Sequence, residues 1–256
     1  MNTDNIKIVD ITTENVADHG IFCIKDQKSP GYHAKVRWFK DKINKGLKIK
    51  IAMDSSGKQL GFIEFIPSEL AWRPVKADNY FFIHCIAVFV KEAKDIGIGS
   101  LLLHACELDA LQEGKSGICA LSSEGPWMAG KEIFTKNNFL VVDQLDRFEL
   151  LVKSLDRQVK TPQIIDFTKQ QIKYVGWHLL YADQCPWHQK SITDLGLTAA
   201  ELGIDLHIEQ LRTPEDAQNG PSGFGTFSLL KDGVLLADHY ISATRFKNIV
   251  KQQLGK

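Results

Sequence analysis

The sequence predicts an α/β (α+β) protein: a mixed central sheet flanked by helices, followed by a smaller α/β domain. Three observations carry this. Residues 80–88, Tyr-Phe-Phe-Ile-His-Cys-Ile-Ala-Val, form an almost continuous apolar run that suits a central strand covered on both faces. The segment Lys94-Asp95-Ile96-Gly97-Ile98-Gly99-Ser100 then turns into a helical apolar run through Leu101, Leu102, Leu103, Ala105, Leu108 and Leu111. Finally, a polar stretch from Asp156 to Pro162 separates two sets of elements and reads as a linker.

Taken in order, Ile6–Ile11 reads as a strand, Asn15–His19 opens a helix, and Tyr32–Lys45 is a second helix with Val36, Phe39 and Ile43 on one face. Lys48–Ala52 alternates polar and apolar residues, Ser55-Ser56-Gly57 turns, and Leu60–Ile66 returns as a hairpin partner. After the central strand and its helix come a strand at Gly117–Leu121, a helix from about Met128 to Lys136, and closing strands at Phe139–Val142 and Phe148–Val152. Beyond the linker, Tyr174–Tyr181 is a strand, Cys185 starts a helix running toward Glu201, and Ile204–Ile208 is a strand. Thr213-Pro214 has the pattern of a helix cap with proline at the first position. Thr226–Leu230 and Val234–Asp238 flank a Lys231-Asp232-Gly233 hairpin turn, and a helix from Ser242 to Gln253 closes the chain. The predicted domains are 1–155 and 174–256, with 156–173 as the linker.

Lys plus Arg and Asp plus Glu number 31 each, and 44% of the 256 residues are hydrophobic, which describes an ordinary globular chain. That balance argues against non-specific nucleic-acid binding. The polar N-terminus and the lack of any window of about 20 apolar residues predict no membrane association and a cytoplasmic protein. The five cysteines, Cys23, Cys85, Cys106, Cys119 and Cys185, are scattered without CxxC or metal-type spacing, so thiols in a reducing compartment and no metal site are expected.

A strand that ends in a turn entering a helix presents unpaired backbone N–H groups at the positive end of the helix dipole, which is an anion site. Gly97 and Gly99 lack the Cβ atoms that would hold a pyrophosphate away. A ligand-free tight turn has the same pattern. No Lys-Ser/Thr of the P-loop type follows, and Leu102 stands where a dinucleotide fingerprint needs a third glycine.

Ile86-Ala87-Val88, the short charged turn, Lys94-x-x-Gly97-x-Gly99, Ser100-Leu101-Leu102-Leu103 and the later Phe134-Thr135-Lys136-Asn137-Asn138-Phe139 together resemble the GNAT acyltransferase superfamily over roughly residues 5–155. The resemblance implies a GNAT-type fold and acetyl-CoA as coenzyme. It places the pyrophosphate on the N–H groups of Asp95, Ile96, Gly97, Ile98, Gly99 and Ser100, with Lys94 where the family has Arg or Gln. It places the pantetheine arm along the backbone of Ile86, Ala87 and Val88, where the strand splays from its neighbour and a backbone N–H can stabilise the oxyanion. Three positions depart from the family: Phe134 stands where a tyrosine acid is frequent, Asn138 replaces a glycine, and Trp127 replaces an asparagine that assists the coenzyme. Phenylalanine has no proton to give.

Glu64 and His84 are the candidate general bases, in strands that would line the acceptor side. Each also fits a plainer reading, Glu64 as an outward-facing strand residue and His84 as a packed, hydrogen-bonded one. In the second half, the element order and Cys185-Pro186 at a helix start resemble a thioredoxin-like domain, while Ser222–Phe227 and the Lys231-Asp232-Gly233 turn resemble the YoaP-like domain found behind acetyltransferase domains. His188 stands where a resolving cysteine would be, so no intramolecular disulfide is expected, and Gly225 stands in place of the cis-proline. Cys185 is a possible reactive thiol, favoured by a helix dipole, or a structural one.

The expected function is transfer of an acetyl group from acetyl-CoA to an amine acceptor by direct attack, with the C-terminal domain shaping acceptor access. The alternatives are a non-catalytic acetyl-CoA or protein-binding module, and a monothiol unit acting through Cys185.

Overall fold

The structure, a computed structural model, describes residues 5–21, 23–89, 96–156 and 160–255. Its elements in chain order are β1 (Lys7–Asp10), α1 (Val16–His19), α2 (Pro30–Lys42), β2 (Lys48–Met53), β3 (Gln59–Pro67), β4 (Val75–Lys76), β5 (Tyr80–Val88), α3 (Ile98–Gln112), β6 (Gly117–Ser122), α4 (Lys131–Thr135), β7 (Leu140–Leu145) and β8 (Phe148–Ser154). There follow β9 (Gln163–Ile164), β10 (Trp177–Tyr181), α5 (His188–Leu202), β11 (Leu206–Gln210), α6 (Pro214–Gln218), β12 (Phe227–Lys231), β13 (Val234–Ala237) and α7 (Ala243–Gln253). They fall into two compact units, one of Met1–Phe22, Lys40–Ala71 and Val75–Ile164, the other of Cys23–Phe39, Trp72–Pro74 and Ile165–Lys256.

The first unit is built on a seven-stranded sheet in the order β1-β2-β3-β5-β6-β8-β7. β5 and β6 run parallel, and every other neighbouring pair in this sheet is antiparallel. The apolar run does become the central strand. α3 lies on one face, where Leu102, Leu103 and Cys106 pack with Ile63, Phe65, Phe81 and Ile83 in one buried cluster. Gly61 on β3 permits this approach, because a Cβ there would lie 2.7 Å from the Ala87 carbonyl and 3.3 Å from Ile98 and Leu102 methyl carbons. The helix read at Met128–Lys136 is shorter, Lys131–Thr135, since Gly130 holds an extended conformation at its cap. The short pair β4–β9 brings Gln163–Ile164 back to this unit.

The second unit holds a four-stranded sheet in the order β11-β10-β12-β13, with β10 and β11 parallel and the other pairs antiparallel. The cap read at Thr213 is a full capping box: its hydroxyl accepts from the Asp216 N–H at 3.1 Å, and the Asp216 carboxylate accepts from the Thr213 N–H at 2.9 Å. Asp232 and Gly233, with φ of 48° and 77°, make the two-residue turn between β12 and β13. Gly225 has φ 72°, and a Cβ on it would lie 2.5 Å from the Trp72 carbonyl oxygen. This position therefore needs a residue without a side chain.

α5 begins at His188, capped by Trp187, so Cys185 lies in the preceding turn rather than at the helix start. The His188 N–H donates to the Cys185 carbonyl at 3.2 Å, closing that turn. The His188 ring is 1% exposed and lies against Phe224 and Phe227. Its Nδ1 donates to the Ala182 carbonyl at 2.9 Å, leaving Nε2 buried without a hydrogen-bond partner among the described residues. Burial, with the charges of Arg73 and Lys35 adding to it, pushes the ring from its ordinary 6.5 down to about 4.

A folded pKa below the unfolded one means that the neutral ring's contribution is complete above pH 6.5 and is lost as pH falls from there through about 4. Over that window the loss is on the order of 3 kcal/mol. Denaturant midpoints measured at pH 7 and pH 4.5 should converge in His188→Asn relative to the wild type. An unchanged pH dependence in the variant would refute the assignment.

Candidate functional site

The sequence-predicted residues Glu64, His84, Ile86, Ala87, Val88, Ile96, Gly97, Ile98, Gly99 and Ser100 all lie in the first unit, and Cys185 lies in the second. Lys94 and Asp95 lie outside the described residues.

β5 pairs with β6 from Tyr80↔Gly117 to Ile83↔Ala120 and no further, although β5 continues to Val88 and β6 to Ser122. The strands part at His84. Gly117 keeps the paired end tight, since a Cβ there would lie 2.5 Å from the Tyr80 ring. β3 remains paired with β5 out to Gly61↔Val88, so among the described residues only the side of β5 that faces β6 parts from its neighbouring strand. From His84 to Val88 this edge runs roughly 13 Å, at 3.3 Å per residue.

α3 starts where that edge ends. Gly97 caps it with φ 89°, a left-handed conformation that favours glycine, and the Leu101 N–H makes the first bond back to the Gly97 carbonyl at 3.0 Å. The first-turn N–H groups of a helix have no intrahelical acceptor, and in this 15-residue helix they carry the positive end of the dipole. At Gly99 a Cβ would lie 2.4 Å from the Ile133 Cδ1, so its missing side chain also leaves room for α4.

Along α3 a cleft of about 390 Å³ is lined by Gly97, Ser100, His104, Lys136, Asn138 and Lys153, among others. Glu107 neutralises part of it, bonded to Lys153 at 2.8 Å and facing His104 at 3.5 Å. Burial works against its charge, but the Lys153 ammonium, with the His104 ring beside it, holds its carboxyl below the usual range. His104, Glu107 and Lys153 carry no motif, and the sequence reading missed them. Asn138 has φ 66°, which asparagine tolerates better than most residues. Phe134 is buried against Phe139, with ring centroids 5.4 Å apart, and belongs to the core under α3.

On the sheet face opposite α3, Glu64 and His84 meet. The register of β3 and β5 shifts between Glu64 and Phe65: Glu64 faces Cys85 and Phe65 faces Ile83, so His84 is the extra residue of a β-bulge. The bulge brings the His84 Nδ1 to 3.2 Å from the Glu64 Oε1, with the side chains 0% and 1% exposed. Glu64 is thus buried, not an outward-facing strand residue. A buried carboxylate beside an imidazole is held by that pairing.

The arrangement can take an anion at the start of α3 and an extended chain along β5, and it carries an acid–imidazole pair at the point where the strands part. Among the described residues no group of three or more His, Cys, Asp or Glu is placed to hold a metal ion, and no helix is long and apolar enough to cross a membrane.

No protein-family model matches the chain. Over 248 residues, covering 94% of the chain and 97% of the relative, it is 27% identical to a Bacillus subtilis (strain 168) protein named an uncharacterized N-acetyltransferase, YoaP. Among solved structures it aligns with a candidate acetyltransferase from Acinetobacter baylyi ADP1 at 14% identity and a TM-score of 0.44, covering 61% of this chain and 95% of that one. A GNAT family acetyltransferase from Elizabethkingia anophelis with acetyl-CoA bound aligns at 14% identity and a TM-score of 0.40, covering 59% and 99%.

Proposed function

We propose that the first unit is an acetyl-CoA-dependent N-acetyltransferase of GNAT type, acting in the cytoplasm on an amine acceptor. The observation that carries this reading is the parting of β5 from β6 directly ahead of the open N-terminus of α3. Acetyl-CoA, when bound, supplies the acyl thioester. The N–H groups of Ile96–Ser100 hold its pyrophosphate, and the reading extends to Lys94 and Asp95. The backbone of Ile86, Ala87 and Val88, on the side of β5 that parts from β6, would bond the amides of the pantetheine arm.

Glu64 and His84 serve as the base. With Nδ1–H donating to Glu64, the His84 Nε2 is the basic nitrogen, and Glu64 stabilises the imidazolium formed when the attacking amine gives up its proton. Phe134 offers no acid, and protonation of the leaving sulfur falls to water or another group.

The strand order β11-β10-β12-β13, with one parallel pair, supports a thioredoxin-like reading of the second unit, to which we assign the choice of acceptor. Phe134 also favours a second reading, coenzyme binding without turnover.

Calorimetric titration with acetyl-CoA, followed by an amine screen that detects the released coenzyme A thiol, tests both. Saturable binding with amine-dependent thiol release is the expected result. Binding without release for any amine would favour the second reading, and no binding would overturn both.

A further inference from the structure

The Cys185-Pro186-Trp187-His188 turn has no second cysteine of its own, but the fold supplies one from the other end of the chain. Residues Cys23–Phe39 belong to the same unit as the turn. The Trp187 indole N–H donates to the Cys23 carbonyl at 3.2 Å. Eight residues on, Gly31 lies so close to the turn that a Cβ on it would sit 2.0 Å from the Pro186 carbonyl oxygen. The segment from Cys23 to Gly31 thus touches both residues that follow Cys185. Cys23 and Cys185 are each half-buried, whereas Cys106 and Cys119 are sealed in the first unit, where burial raises their thiols above the ordinary range.

We propose that Cys23 and Cys185 form a reversible disulfide within one chain, with Cys185 as the attacking thiol and Cys23 as the resolving one. One feature makes Cys185 the first to react: it sits in the turn that leads into the 15-residue helix α5, whose N-terminus favours a thiolate.

The oxidant is a low-molecular-weight disulfide. The Cys185 thiolate attacks one sulfur of the oxidant; the oxidant's S–S bond breaks, one thiolate leaves and takes a proton from water, and a mixed disulfide remains on Cys185. The Cys23 thiolate then attacks the Cys185 sulfur and expels the second small thiol. Two cysteine thiols are oxidised and one small disulfide is reduced to two thiols. Closure requires the two Cα atoms to come within about 4.4–6.8 Å of each other.

The test uses the full, reduced chain, treated without denaturant with oxidised glutathione, alkylated and digested under non-reducing conditions for mass spectrometry. The expected result is loss of two of the five thiols and a linked pair of peptides carrying Cys23 and Cys185. In Cys23→Ser the reaction should stop with glutathione retained on Cys185, and in Cys185→Ser, Cys23 should stay reduced. The proposal is overturned if wild-type Cys185 keeps glutathione, if the link runs to Cys85 or to a second chain, or if all five thiols survive. The wild-type result decides the matter even if a serine variant fails to fold.

Discussion

Gly97→Val is expected to weaken acetyl-CoA binding by roughly 100-fold while leaving a folded protein. Gly97 caps α3 with φ 89°, where a β-branched residue is strained by about 1–2 kcal/mol. Relief of that strain turns the cap and misaligns the first-turn N–H groups. Losing a hydrogen bond to a charged group costs about 1.5–3 kcal/mol, and a loss near the upper end corresponds to about 100-fold in Kd. Gly99→Val is the instructive comparison. Its Cβ would meet the far end of Ile133, so the expected cost is in thermal stability, with a smaller effect on binding. Calorimetry and melting curves on both variants separate the two roles. Equal binding by Gly97→Val and the wild type would remove the α3 N-terminus as the anion site.

The second large effect is expected at the strand parting. Glu64→Gln keeps the volume and a hydrogen-bonding group beside His84 but removes the charge that supports an imidazolium. It should lower kcat by about 10²–10⁴, the usual contribution of general acid–base catalysis, with little change in KM for acetyl-CoA. His84→Gln should cost a similar factor, and the double variant little more than either alone, because the two act as one unit. Steady-state rates with any accepted amine decide this. Additive losses, or a Glu64→Gln enzyme with full kcat, would reduce the pair to a structural role. Glu64→Ala is the poorer probe, since it leaves a cavity beside a buried histidine.

What could be read in the sequence was local. The run from Tyr80 to Val88, the glycine cap of α3, the Thr213 capping box and the Asp232-Gly233 turn each depend on residues a few positions apart, and each appears in the structure. The meeting of Glu64 with His84 does not follow from such patterns. Glu64 pairs with Cys85, and the register shift beside that pair sets the His84 ring against the carboxylate. That shift is a property of the pairing, with no signature in either strand. The contact of Cys23 with Trp187 is hidden for the same reason, as it joins residues 164 positions apart. The glycines of the turn divide the same way: the left-handed conformation of Gly97 is a local matter, while the room that Gly99 leaves for Ile133 depends on a residue of α4.

The interleaving of the two units in the sequence bears on how the protein is made. Residues 23–39 leave the ribosome long before residues 165–256, to which they belong. At 5–20 residues per second the interval is roughly 10–40 s. During that time the amphipathic start of α2 has no permanent surface to cover it, and the first unit must assemble around a segment destined for another core. A nascent chain of this kind is exposed to chaperones and to mispairing with other chains, and a single cut near residue 155 would yield two fragments that each lack part of their own unit.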